Sequence, residues 1–340
     1  MAATASKRRS TQPTKVKNNE RRAQMNRSRP LRIGRRLIGL LGVVVVLGFA
    51  GAVYESMAEA ADARAYPPPG QMVDVGGYRL HINCVGTGSP TVVIESGLGD
   101  WSASWSNSVQ PQVANTTRVC TYDRAGMGYS EPGPLPRTAA RFAEELHTLL
   151  QRADIPGPYV LAGHSSGGLT VRVFAAAYPA EVVGVMLIDS VTPGPGAQAE
   201  APTSRGWSSI ATLPARIGLP RLLAGPLDLK GGMAPEIANA YVANSVTPRS
   251  AQTGLDEFLG MSQGAAEAGA VTSFGELPLI VLSRAPNRDL EWDRKQTDLL
   301  GLSSNSQQLF AERSGHNIQL DQPEAAVDAI ERMVEHVRAS

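Results

Sequence analysis

At 340 residues, with 42% hydrophobic and 19% charged residues, the chain can build one large α/β domain with an insertion, or two domains, and is not disordered as a whole. Two cysteines exclude a disulfide-framework protein and a zinc site built mainly of thiolates. The net charge of +1 conceals a split. Residues 1–36 carry twelve Lys/Arg and one acid, Glu20, or +11; the rest carry twenty basic and thirty acidic residues, or −10. An acidic body would be repelled by phosphate, which argues against nucleic acid as a partner.

The basic segment is rich in Ser, Arg, Lys, Asn and Gln, and predicts a disordered tail over 1–36 held near a membrane surface by its charge. Leu37 to Val53 then runs without a charge, and Tyr54 follows as an interfacial aromatic. These residues, 37–54, span about 27 Å as a helix, against about 30 Å for a bilayer core. Arg35 and Arg36 can snorkel outward. A single-pass transmembrane helix is predicted in the cell membrane, with the basic N-terminus cytoplasmic and the remainder outside. The rival is export with signal cleavage, since Ala58-Glu59-Ala60 offers an A-x-A site and Arg35-Arg36 faintly resembles a twin-arginine signal. The long basic region favours an uncleaved anchor. Residues 55–70 read as a linker ending in Pro67-Pro68-Pro69-Gly70.

From Gln71 to the end, 71–340, the pattern is that of one domain. Met72–Val75 and Tyr78–Cys84 flank Gly76-Gly77 and read as a hairpin. Apolar runs follow at Thr91–Glu95, Thr117–Tyr122, Tyr159–Ala162, Val182–Ile188, Leu277–Leu282 and Gln307–Ala311. Amphipathic helical patterns lie at Arg137–Ala153, Gly167–Ala177, Trp292–Leu302 and Pro323–Arg338. A hairpin followed by strand–helix alternation implies an α/β fold, a mostly parallel sheet with helices on both faces. One stretch breaks the alternation: the 88 residues between Ile188 and Leu277 hold no convincing strand. A structureless loop of that length is implausible. Helical patterns at Ile237–Asn244 and Gly254–Ala268 make it an inserted helical cap, assigned to 191–274.

Gly163-His164-Ser165-Ser166-Gly167-Gly168 follows the strand at 159–162 and opens a helix. A tight strand-to-helix turn needs small neighbours, and thrusts the Ser165 hydroxyl out at a helix N-terminus. A serine needs a base. His81 lies in the hairpin, His147 and His336 on helices, and His164 within the turn. His316 follows the last strand on a loop introduced by Ser314-Gly315, at the same sheet edge as Ser165, and the order nucleophile, acid, base matches this architecture. The acid that orients the imidazole is left between two positions. Asp189 ends the run Val182–Ile188 and is preferred. Asp289, on the loop after the next strand with Glu291 and Asp293 nearby, is the rival. The oxyanion formed on attack needs two backbone N–H donors, assigned to Ser166 and to Leu98 in the turn Glu95-Ser96-Gly97-Leu98-Gly99.

On these motifs, together with Asp123-Arg124-Ala125-Gly126-Met127-Gly128-Tyr129-Ser130 and Ser314-Gly315-His316 followed by Asp321-Gln322-Pro323, the chain from about Gln71 to Arg338 resembles the α/β-hydrolase fold superfamily. Within it, the chain is similar to bacterial membrane-associated or exported hydrolases. The resemblance implies an eight-stranded, mostly parallel sheet and hydrolysis of a small-molecule carboxylic ester through an acyl-enzyme, with no metal or organic cofactor. Peptide cleavage or acyl transfer by the same triad is the nearest alternative; a non-catalytic binding module is the alternative from another class. Ser96-Gly97 stands where many relatives have His-Gly. Relatives that open epoxides or remove halides have aspartate where Ser165 stands, which disfavours those chemistries. The 123–130 segment reads as turn stabilisation beneath the site. The implied sheet order sets the second and fourth strands side by side, so Cys84 and Cys120 either pair as a disulfide or remain as buried thiols.

Overall fold

The computed structural model describes residues 1, 14–193, 201–206, 208–224, 232–285 and 289–340, with only the backbone over 14–35. It divides into two units, 1–53 and 54–340. The first is the bulk of a single helix, α1, Thr14–Ala65. Its Arg36–Ala65 part is long and apolar enough to cross a membrane. Two expectations are corrected here. Thr14–Arg36 is helical and not a disordered tail, since Arg and Lys are good helix formers and extend a helix the apolar run has nucleated; residues 2–13 lie outside the described residues. The linker expected from residue 55 begins later, because the Ala-, Glu- and Met-rich stretch 55–65 continues the helix until Pro67 disfavours it.

In the second unit β1 (Gln71–Asp74) and β2 (Arg79–Val85) form the hairpin, and Asp74 Oδ1 accepts from the N–H groups of Gly76 and Gly77 in its turn. There follow β3 (Thr91–Glu95), the short helices α2 (Ala103–Ser106) and α3 (Val109–Val113), β4 (Val119–Tyr122), α4 (Ala139–Arg152), β5 (Tyr159–His164), α5 (Gly167–Ala177) and β6 (Val182–Ile188). Between β6 and the next strand the described residues form α6 (Ser208–Ala211), α7 (Leu213–Arg216), α8 (Leu219–Leu223), α9 (Pro235–Ser245) and α10 (Pro248–Gly269). The expected cap 191–274 falls on this stretch, with 194–200, 207 and 225–231 outside the described residues. The chain ends with β7 (Leu279–Arg284), α11 (Leu290–Asp298), a 3-10 turn at Leu299–Leu302, β8 (Ser306–Ala311), α12 (Ile318–Asp321) and α13 (Pro323–Ala339).

The eight strands form one sheet in the order β1-β2-β4-β3-β5-β6-β7-β8. The β1–β2 and β2–β4 pairs are antiparallel and all others parallel. Its central strands are buried on both faces, as parallel strands require. Side chains alternate accordingly: Tyr159 and Leu161 enter one apolar core with α4 and α5, Val160 and Ala162 the other with α3 and α13. Cys84 and Cys120, directly opposite on β2 and β4, form a disulfide. Their strands are antiparallel, so the bridge crosses between the two residues of one ladder pair.

A buried ion pair ties the start of this unit to the sheet. His81 on β2 meets Asp123 at 2.9 Å through Nδ1, and its Nε2 meets the carbonyl of Pro69. Both ring nitrogens face acceptors, so the imidazolium suits the site. Burial pulls the His81 pKa down, but the hydrogen bond and charge of Asp123 outweigh it and the net shift is upward. A raised folded pKa stabilises fully below the unfolded value, about 6.5, and that stability is lost as pH rises through the folded value. The thermal midpoint is therefore expected to fall as pH rises above about 6.5, and a His81→Gln variant to lack that part of the slope. Thermal melts of both proteins across roughly pH 6 to 9, the range of imidazole titration, check this; parallel slopes would exclude His81 as the source.

Candidate active site

The strand-to-helix turn after β5 explains its own composition. A Cβ on Gly163 would lie 2.6 Å from the Gly167 carbonyl oxygen, and one on Gly167 2.6 Å from the Glu95 and Ser96 carbonyl oxygens. Only glycine fits such approaches. Between them Ser165 takes φ 53°, a left-handed conformation costly for a residue with a side chain. Two backbone bonds hold it there: Ser165 N–H donates to Ile188 O at 3.0 Å, and Val191 N–H donates to Ser165 O at 3.0 Å.

The side chains from three strand ends converge. Ser165 Oγ lies 2.9 Å from His316 Nε2, and His316 Nδ1 lies 2.6 Å from Asp189 Oδ2. Asp189 is fully buried, and its other oxygen accepts from Trp292 Nε1 at 2.8 Å and from the Arg284 N–H at 3.3 Å. Arg284 adds a charge 3.7 Å away and stacks over Trp292. The His316 loop is shaped by Asp321, which accepts from Gly315 N–H at 2.8 Å. Asp289 stands apart from the imidazole. It caps α11 by accepting from Trp292 N–H at 3.1 Å, and its side chain is half-exposed. Glu291 pairs with Lys295 along α11.

His164 sits beside the imidazole without joining the chain of bonds. Its Nε2–H donates to the His316 carbonyl at 2.9 Å, while Nδ1 is buried with no partner. Burial, with the nearby His316, pulls its pKa down to about 4, so it is neutral at ordinary pH.

The turn after β3 is fixed from behind by Arg124. Its Nη1 donates to Glu95 and to the Ser96 carbonyl, each at 2.7 Å, and Nη2 donates to the Gly97 carbonyl at 2.6 Å. Glu257 on the cap helix α10 receives Arg124 through both carboxylate oxygens, at 2.7 and 2.9 Å, and also accepts from Gly99 N–H at 3.1 Å. Because a trans peptide points its N–H opposite its C=O, holding Gly97 O towards Arg124 turns the Leu98 N–H the other way. Neither Leu98 N–H nor Ser166 N–H finds an acceptor among the described residues. A cavity of about 20 Å³ is lined by Leu98, Phe142, Ser166, Leu169, Glu257 and Met261; that is room for about one water.

Sequence reasoning named Ser165, His316, Asp189, Asp289, Leu98 and Ser166. It read the 123–130 segment as turn stabilisation, and Arg124 does hold the 96–99 turn. It did not find Glu257, Trp292 or Arg284, which belong to no motif. Among the described residues no group of three or more His, Cys, Asp or Glu side chains is placed to hold a metal ion.

Glu257→Gln keeps the shape but removes the charge that pairs with Arg124. It is expected to lower kcat roughly ten- to a hundredfold with KM nearly unchanged, if the turn's N–H groups act only on developing charge. Steady-state kinetics check this; a change confined to KM would assign Glu257 to ground-state binding instead.

A family model described as the alpha/beta hydrolase fold matches residues 90–208. The chain is 32% identical over 155 residues to an uncharacterized protein of Schizosaccharomyces pombe (strain 972 / ATCC 24843), covering 37% of this chain and 29% of that protein. It is 34% identical over 130 residues to a 2-hydroxy-6-oxononadienedioate/2-hydroxy-6-oxononatrienedioate hydrolase of Cupriavidus pinatubonensis (strain JMP 134 / LMG 1197), covering 37% and 45%. The chain thus spans less than half the length of these two relatives. Among solved structures, a thermophilic esterase from Thermogutta terrifontis superposes with TM-score 0.60 at 20% identity, over 78% of this chain and 98% of that one.

Proposed function

We propose that this chain, which belongs to the α/β-hydrolase fold superfamily, is a serine hydrolase of carboxylic esters held at a membrane by residues 37–54. The observation that carries the reading is the unbroken chain of hydrogen bonds Ser165–His316–Asp189 at 2.9 and 2.6 Å. A serine beside a neutral imidazole nitrogen can lose its proton as it attacks, and a buried carboxylate on the other nitrogen favours the imidazolium that results.

The steps follow from these positions. Ser165 Oγ bonds to the acyl carbon while His316 Nε2 takes its proton. The carbonyl oxygen becomes an oxyanion and accepts from the N–H groups of Leu98 and Ser166. The intermediate collapses, the C–O bond to the alcohol breaks, and His316 gives that oxygen its proton. Water, deprotonated by His316, then attacks the acyl-enzyme; Ser165 leaves as the acid is released and recovers its proton. Asp189 holds the imidazole through Nδ1 and is itself oriented by Trp292 and Arg284.

Attachment to a membrane is supported by Leu37 to Val53, uncharged in sequence, and by the helix that contains it. The basic residues before it favour the orientation with residues 1–36 cytoplasmic and 71–340 outside.

Ser165→Ala is expected to abolish turnover of p-nitrophenyl esters and labelling by a fluorophosphonate while leaving the thermal midpoint within a few degrees; full activity would remove Ser165 from its role. Asp189→Asn should lower kcat by about a thousandfold or more, because the amide favours the wrong imidazole tautomer. Asp289→Asn, which keeps an oxygen able to cap α11, should change kcat less than about threefold and leave stability nearly unchanged. The reverse ranking, measured side by side, would move the acid to Asp289.

A further inference from the structure

The run 210–224, which holds α7, α8 and the end of α6, is folded inside out. Its small residues Thr212, Ala215 and Ala224 are buried, whereas Ile210, Leu213, Ile217, Leu219, Leu222 and Leu223 are exposed, by 41% to 62%. A water-soluble surface buries large apolar side chains before alanines. Single exposed leucines need no explanation, but six within fourteen positions form a patch that does. Leu219, Leu222 and Leu223 share one face of α8 by their spacing.

The patch is fastened to one place. Arg221, on α8, donates from Nε and Nη2 to Glu55, each at 2.9 Å, and from Nη1 to Asp62 at 2.5 Å. Glu55 is nearly fully buried and Arg221 largely so. Gly218, which opens α8 with φ 74°, lies against the Tyr54 ring, whose nearest carbon would be 3.0 Å from an added Cβ. Tyr54 and Glu55 follow directly on the uncharged run Leu37 to Val53. The segment α8 is thus fastened to the first residues after that run. Arg216, exposed between Leu213 and Ile217, supplies a cation of the kind that meets lipid phosphates.

We infer that α6 to α8 dock into the interfacial layer of a lipid bilayer, with the six apolar side chains among the acyl chains, and that the esters this enzyme takes are presented from that layer. The inference rests on the proposed ester chemistry and membrane anchor and adds the source of the substrate. The connection to chemistry is α10, which packs against α6 and α7 and whose Glu257 and Met261 line the cavity beside Leu98 and Ser166. Phe258, next to Glu257, is also exposed.

The test uses the full chain in vesicles of phosphatidylcholine and phosphatidylglycerol. With Cys84 and Cys120 bonded to each other, Leu222→Cys gives a single thiol for an environment-sensitive fluorophore, and Glu335→Cys on α13 gives the reference. Nitroxide on lipid acyl chains is expected to quench the label at 222 at least roughly threefold more than the label at 335, with aqueous iodide giving the opposite order. Equal iodide quenching at both positions overturns the docking. In the second arm, Leu219→Lys/Leu222→Lys should lower turnover of p-nitrophenyl palmitate dissolved in the vesicles about tenfold or more, with p-nitrophenyl acetate in water changed less than about twofold. Equal loss on both substrates, or on neither, overturns the lipid-phase source. Conversion of a dimer to a monomer in detergent micelles by the same variant would make the patch a self-interface and also overturns the inference. If the wild-type protein cleaves neither ester, the ester reading fails, and the quenching still decides the docking.

Discussion

The turn between β5 and α5 constrains everything around it. Its glycines let the backbone of β3 and of α5 approach within distances that no side chain would permit, and Ser165 is held in a left-handed conformation by bonds to β6 and the chain after it. Strain of that kind persists only where neighbouring structure over-determines it. Here the neighbours are the very elements that carry the other groups. The bond from Ser165 N–H goes to Ile188, the residue before Asp189. The strand ends are thus tied to one another before any chemistry is considered, and the imidazole of His316 closes the set from the far end of the sheet.

A second layer of polar contacts stands behind the first. Arg124 is buried, which by itself opposes its charge, but Glu257 and Glu95 hold it charged. In return it fixes the carbonyls of Ser96 and Gly97, which turns the Leu98 N–H away from Arg124. The contribution of Glu257 is notable for its origin, because α10 belongs to the insertion between β6 and β7 and not to the sheet. The helix α10 and the 96–99 turn are therefore joined both through Arg124 and directly at the Gly99 N–H.

The surface carries a different kind of information from the core. In the sheet, apolar residues alternate between two cores and their burial explains their presence. In α7 and α8 the logic is reversed, and the large side chains are those left outside. The Arg221 contacts with Glu55 and Asp62 place that reversed segment beside the residues that follow the uncharged run. A lipid phase would reconcile the two patterns, because it accepts the same side chains that water rejects.

Local signals account for most of the architecture. The hairpin with its Gly76-Gly77 turn, the parallel strands and the flanking amphipathic helices are each written in a short stretch of residues, because hydrophobic period and turn chemistry act over a few positions. The same holds for the environment of Ser165, where spacing of glycines and chain order suffice. Helix α1 extends beyond the apolar run at both ends, since composition separates charged from apolar segments but a helix can run through both. The choice of acid was not local. Asp189 and Asp289 follow successive strands, and both lie near Arg284, at 3.7 and 3.6 Å. Only the packing of strand ends, which buries one carboxylate against the imidazole and leaves the other capping a helix, separates them. Glu257, Trp292 and the outward leucines of α8 were silent in the sequence for the same reason: a side chain's neighbours across the fold depend on contacts between distant segments, and no pattern along the chain encodes them.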